Sequence, residues 1–174
     1  MSPSAQQAFS KCVPCYRDTV LSPHVLALYQ VGTLFREPTY CDATHKFGGF
    51  AAPHRYLIIS VNAKCLDSIS KYPEWGMCMW QRGRIFKVIG VHSSSQFAQI
   101  TLLEIPEEFR EEFTTEHLSE MEVFFAYRAQ MQFELAKKSP VLPEHQTRLW
   151  LDRLKLPVGV GSNGKFLELW RHKT

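Results

Sequence analysis

Between Gly76 and Lys138 the apolar residues change their period partway along, and this change constrains the fold more than any other feature of the chain. The runs GMCMWQRGRIFKVIGVH and QFAQITLLEI read as strands, with Ala98, Ile100 and Leu102 sharing one face. Arg82-Gly83 and the polar HSSSQ supply turns between them, glycine adopting positive φ at little cost. An antiparallel meander is therefore predicted at about 76–104. From Pro106 the spacing becomes helical. Phe109 and Phe113 stand four apart, and Met121, Phe124, Phe125, Arg128, Met131 and Leu135 continue the stripe. Pro106 suits a first helical position and Glu107 and Glu108 complement its dipole, while Lys137, Lys138 and Pro140 mark the end. A long helix is expected over about 106–138, or two helices broken near Thr114-Thr115, because Ser119 and Glu122 have capping-box spacing. A shorter helix follows from Pro143.

Upstream, HRYLIISVNA is a nearly continuous apolar run, as in a central strand buried on both faces. HVLALYQVGTLF, from His24 to Phe35, reads as another strand through its β-branched content and Gly32. At the other end, VGVGSNGKF matches both G-x-G-x-x-G and G-x-x-x-x-G-K. A phosphate loop needs a strand before the glycines, a helix after them and a hydroxyl residue after the lysine. Phe166 occupies that hydroxyl position, so Asn163-Gly164 is expected as the turn of a C-terminal β-hairpin, with no nucleotide at 159–165. Strands followed by helices indicate an α+β domain: an antiparallel sheet against one long and one shorter helix. Residues 1–22 are assigned to an N-terminal tail and 23–174 to a single domain.

With 174 residues and 12 Phe and 4 Trp among them, the chain can build a core without staples. A net charge of +3 permits acidic partners, but no aromatic–basic motif of an RNA-binding sheet appears, so nucleic acid is not expected. The opening MSPSAQQAFS lacks a basic start and an apolar h-region, and no apolar run is long enough to span a bilayer. The expectation is a soluble cytoplasmic protein with reduced thiols and no membrane partner. Lys137-Lys138 and the WRHKT terminus are basic, and four Trp residues are available for contacts.

Three sets of residues have chemical potential. Cys12, Cys15, Cys41 and His45 make C-x₂-C-x₂₅-C-x₃-H, an arrangement of zinc-ligand types in two close pairs. The alternative is unrelated reduced side chains, the cysteines packing as small hydrophobes; apart from this zinc no cofactor is expected. CVPC also resembles the C-x-P-C of thioredoxin-type oxidoreductases, but no convincing strand leads into it. In the 47–56 loop, Gly48 and Gly49 precede His54, Arg55 and Tyr56, which could meet a ligand, and the turn-like YPEWG singles out Trp75 as a partner contact. No G-x-S-x-G is present. Lacking a coherent catalytic constellation, the chain is expected to be a non-catalytic binding or adaptor protein, taking a protein partner or small ligand on a sheet face or helix-flanked groove. One alternative is a small intracellular enzyme acting on a phosphate-bearing or acyl substrate through His54, Arg55 and Tyr56. Another is a zinc-stabilised binding module.

Overall fold

The computed structural model describes residues 2–115 and 117–170, so the RHKT terminus, residues 171–174, lies outside it. The elements run α1 (Pro3–Phe9), β1 (Val13–Thr19), α2 (Pro23–Leu26), β2 (Leu34–Arg36), β3 (Cys41–Thr44), β4 (His54–Ser60), β5 (Lys64–Cys65), β6 (Met77–Trp80), β7 (Ile85–Ser93), β8 (Ala98–Ile105), α3 (Glu120–Ala136), α4 (Arg148–Arg153) and β9 (Glu168–Trp170). Short 3₁₀ turns lie at Pro73–Trp75, Glu107–Phe113 and Pro143–His145. The fold is mixed α+β. Its nine strands form one sheet, ordered β5-β6-β3-β1-β4-β8-β7-β2-β9, antiparallel throughout except for the β4–β8 pair.

Strand alternation explains why β4 and β8 read as continuous apolar runs. Tyr56, Ile58, Ile100 and Leu102 face one core with Phe35, Trp80 and Phe86. Ile59, Leu103 and Ile105 face a second with Phe9 and Phe113, and both faces are covered. The second core lies under α1, the Glu107–Phe113 turn and α3. A buried ion pair from Lys87 Nζ on β7 to Glu122 Oε1, 2.8 Å long, fixes α3 there, and Ser119 and Glu122 close a capping box at its start.

Several expectations need correction. The strands at about 76–104 are not a meander: β7 and β8 pair, but β6 pairs with β3 and β5 on the far side of β1 and β4. The expected helix over 106–138 is divided into a 3₁₀ turn and α3, the break coming where Ser119 caps a new start. His24–Phe35 is not one strand, because Ser22 caps α2 with Pro23 at its first position, and Gly32 at φ +90° turns the chain into β2. The segment assigned to a tail instead contains α1 and β1, and β1 sits in the middle of the sheet between β3 and β4. Pro14 lies near that strand's start, where a missing N–H does least harm.

At the C-terminus, Val160 bridges Phe166 across a turn with Gly164 at φ +74°. Asn163 keeps negative φ, so the turn is not type I′; Gly164 N–H bonds the Gly161 carbonyl and Gly161 N–H the Lys165 carbonyl, as in a three-residue loop closed by a left-handed glycine. The last strand, β9, then pairs with β2 rather than back onto residues 158–160.

Candidate functional site: an arginine cleft beneath a C-terminal strap

A polar cleft lies over one end of β1, and its principal group is Arg17. Strand alternation turns this side chain to the sheet face that the C-terminal segment crosses. It is 4% exposed. Its Nη1 donates to the Asp42 carbonyl at 2.6 Å and its Nη2 to the Leu156 carbonyl at 2.7 Å. Nε has no hydrogen-bond partner among the described residues. Arg153, from α4, donates to the Asp42 carboxylate at 2.6 Å, so two guanidinium groups flank Asp42. Glu37, also buried, accepts from the Thr39 hydroxyl at 2.7 Å and from Gly159 N–H at 2.7 Å. A cavity of about 30 Å³ remains, lined by Arg17, Glu37, Thr39, Tyr40, Arg153 and Leu156.

Residues 154–159 form a strap over these groups. The carbonyls of Leu154, Leu156 and Val158, every second residue, accept from Thr19 Oγ1 at 2.8 Å, Arg17 Nη2 at 2.7 Å and the Tyr29 hydroxyl at 2.6 Å. Tyr56 donates in turn to the Tyr29 oxygen at 2.7 Å, and burial holds both phenols protonated by raising their pKa values above the usual tyrosine range. Gly159 is required at the end of the strap: its φ is +83°, and a Cβ there would overlap the Phe35 ring.

The residues singled out in the 47–56 loop have structural partners. Arg55 is buried and forms a two-pronged pair with Asp18, Nε to Oδ1 at 2.5 Å and Nη2 to Oδ2 at 2.8 Å. Its remaining donors reach the Gly48 and Gly49 carbonyls at 2.9 and 2.8 Å. His54 Nδ1 accepts from Leu21 N–H, and burial lowers the pKa of its ring. Alternation sends Arg55 to the opposite sheet face from His54 and Tyr56, so the three do not converge. Gly48 and Gly49 allow close packing: a Cβ on Gly49 would overlap the Ser139 carbonyl, and one on Gly48 would come within 2.8 Å of Leu142. Trp75 is buried, stacked on Tyr72 and against Trp150.

The expected zinc ligands are not brought together. Cys12 and Cys15 lie three apart on extended chain, which sends them to opposite faces: Cys12 packs with the Phe9 core and Cys15 with the Tyr56 core. Cys41 joins the second of these, where burial raises its thiol to about 12, while His45 pairs with Asp67 at 2.9 Å. Among the described residues no group of three or more His, Cys, Asp or Glu side chains could hold a metal ion. Arg17 was missed because residues 1–22 were assigned to a tail, and VPCYRDT carries no two-residue alternation of apolar and polar side chains that would have marked it as a strand.

No family model matches the chain, and no curated protein sequence does. Solved structures resemble it over part of its length. The type III effector XopAI of Xanthomonas axonopodis pv. citri is 15% identical with a TM-score of 0.49, covering 55% of this chain and 44% of its own. The ADP-ribosyltransferase HopU1 of Pseudomonas syringae pv. tomato is 17% identical with a TM-score of 0.48, covering 54% and 45%. Exoenzyme S of Pseudomonas aeruginosa, solved with human 14-3-3 protein beta and bound to carba-NAD, is 13% identical with a TM-score of 0.46, covering 65% of each chain. This chain thus spans less than two thirds of each of them. The expectations of a non-catalytic binding or adaptor protein and of no nucleotide at 159–165 are withdrawn on this finding, since the similar structures are described as transferases and effectors, one holding a nucleotide analogue. Among the described residues no helix is long and apolar enough to cross a membrane.

Proposed function

We propose that the chain is an enzyme of nucleotide chemistry, a group transferase whose substrate is a dinucleotide with a diphosphate bound at Arg17. The observation that supports this reading is the Arg17 guanidinium, buried and held in plane by two neutral carbonyls, with Nε unpartnered among the described residues and Arg153 at the mouth. An anionic oxygen is a stronger acceptor than a carbonyl, and a pair of guanidinium forks suits the two phosphates of a diphosphate. Asp42 and Glu37 supply carboxylates beside them that can accept from ribose hydroxyls or take a proton.

A cavity of about 30 Å³ is far smaller than a dinucleotide, so substrate entry requires the strap to lift and a phosphate oxygen to replace the Leu156 carbonyl on Arg17. NAD is the first substrate to assay, being the nucleotide whose carba analogue exoenzyme S binds. Nicotinamide release from NAD is expected with the unaltered chain and lost in Asp42→Asn and Arg153→Ala, both at the cleft mouth where folding should survive. Release that persists unchanged in both variants, or none from the unaltered chain with NAD, refutes the reading.

A further inference from the structure

Helix α3 is apolar on two sides. Its inner side buries Ala129, Phe133 and Ala136. Its outer side exposes Val123, Phe124, Tyr127, Met131 and Leu135, each between 53% and 61% accessible. Steps of three or four residues keep these side chains on one stripe. Contiguous apolar surface of this kind marks an interaction site, since single exposed hydrophobes are scattered on ordinary surfaces.

The charges at the two ends identify the occupant. Glu120 and Lys138 are both exposed, and neither takes part in an ion pair among the described residues. Glu120 opens α3 and Lys138 lies just past its last residue, Ala136, so opposite charges bracket the stripe at its two ends. Reversed, the stripe matches opposite charges at its two ends. Laid antiparallel on itself about the level of residue 129, it places Glu120 against Lys138, Val123 against Leu135, Tyr127 against Met131 and Phe124 against Glu134, whose carboxylate is paired with Lys137 of its own helix. Every pair then occurs twice, as a twofold interface requires. A parallel pairing would instead set Glu120 against Glu120 and Lys138 against Lys138. Beside Phe124 a groove of about 600 Å³, lined by Phe9, Met121 and Phe125 among others, opens at the level that Leu135 of the second copy would reach.

We propose that α3 is a dimerisation surface and that its partner is a second copy of this chain, the two α3 helices packed antiparallel. The inner ion pair between Lys87 and Glu122 holds each helix with this stripe outward.

Sedimentation velocity on the full chain, from roughly 1 to 100 µM, tests this, that window being where modest interfaces dissociate. The unaltered chain is expected to move from monomer to dimer, and Leu135→Glu to remain monomeric with an unchanged circular dichroism spectrum. Glu120→Lys sets like charges together at both ends and should weaken the dimer about a hundredfold, at roughly tenfold per contact. The double variant Glu120→Lys/Lys138→Glu restores both contacts and should dimerise like the unaltered chain. In a parallel pair the single exchange would only trade one like-charge contact for another, with no loss. A monomer throughout the concentration range, an unaffected Glu120→Lys variant, or a double variant no tighter than the single would each overturn the proposal.

Discussion

Replacing Arg55 with Leu separates a structural clamp from a ligand-binding arginine. In the native protein its guanidinium is 3% exposed and joins the Asp18 carboxylate, 8% exposed, through two contacts of 2.5 and 2.8 Å. It also satisfies the Gly48 and Gly49 carbonyls and lies over the Phe50 ring at 4.4 Å. Arg55→Leu leaves Asp18 buried with only the Ala51 N–H as a donor. Removing one member of a buried pair costs about 3–5 kcal/mol. Against a total stability of about 5–15 kcal/mol this is a large share. For a domain of this size it corresponds to a fall of about 6–20 °C in Tm. Urea unfolding followed by circular dichroism measures the loss. Adding Asp18→Asn to the same chain removes the orphaned charge, and part of the stability should return, by about 1–3 kcal/mol. A loss below about 1 kcal/mol for Arg55→Leu, or no recovery in the double variant, would refute the clamp and return Arg55 to the list of ligand-binding groups.

Three further perturbations follow from the geometry. His54, His92 and His145 each have a pKa lowered by burial, with the Trp75 carbonyl partly opposing this at His145. Their folded values lie below the unfolded one, so the stability they confer as neutral rings is complete above about pH 6.5 and is lost as pH falls through the folded values. Thermal melts from pH 7.5 to 5 should show this decline, and a shallower one in His145→Gln. Gly49→Ala drives a methyl into the Ser139 carbonyl and should cost about 1–3 kcal/mol by urea titration. Ser119→Ala removes the capping box of α3 and should cost about 1 kcal/mol in the same assay.

Local chemistry made some of this structure legible from sequence. The capping box at Ser119 and Glu122, the left-handed glycine at Gly164 and the buried character of β4 all depend on residues within a few positions of one another. Pairing across the sheet does not. Nothing in GMCMWQRGRIFKVIGVH indicates that β6 leaves its sequence neighbour β7 to pair with β3 and β5. The cleft is harder still, because it joins Arg17, the Glu37–Asp42 segment and Arg153 from three distant stretches, through the Arg153–Asp42 pair and contacts to the strap. His54, Arg55 and Tyr56 stood out because they adjoin two glycines, yet the glycines serve close packing against residues 139–142. The apolar stripe of α3 was visible as helical periodicity, but only burial shows that a second stripe faces outward.

Calorimetric titration of NAD into the full chain tests the arginine cleft most directly. The account predicts saturable binding, reproduced by ADP-ribose, which keeps the diphosphate, and weakened at least about tenfold in Arg153→Ala, the loss of one charged hydrogen-bond donor. No binding of either ligand at about 5 mM, a concentration that detects even millimolar affinity, or equal binding by the Arg153→Ala variant, would contradict it.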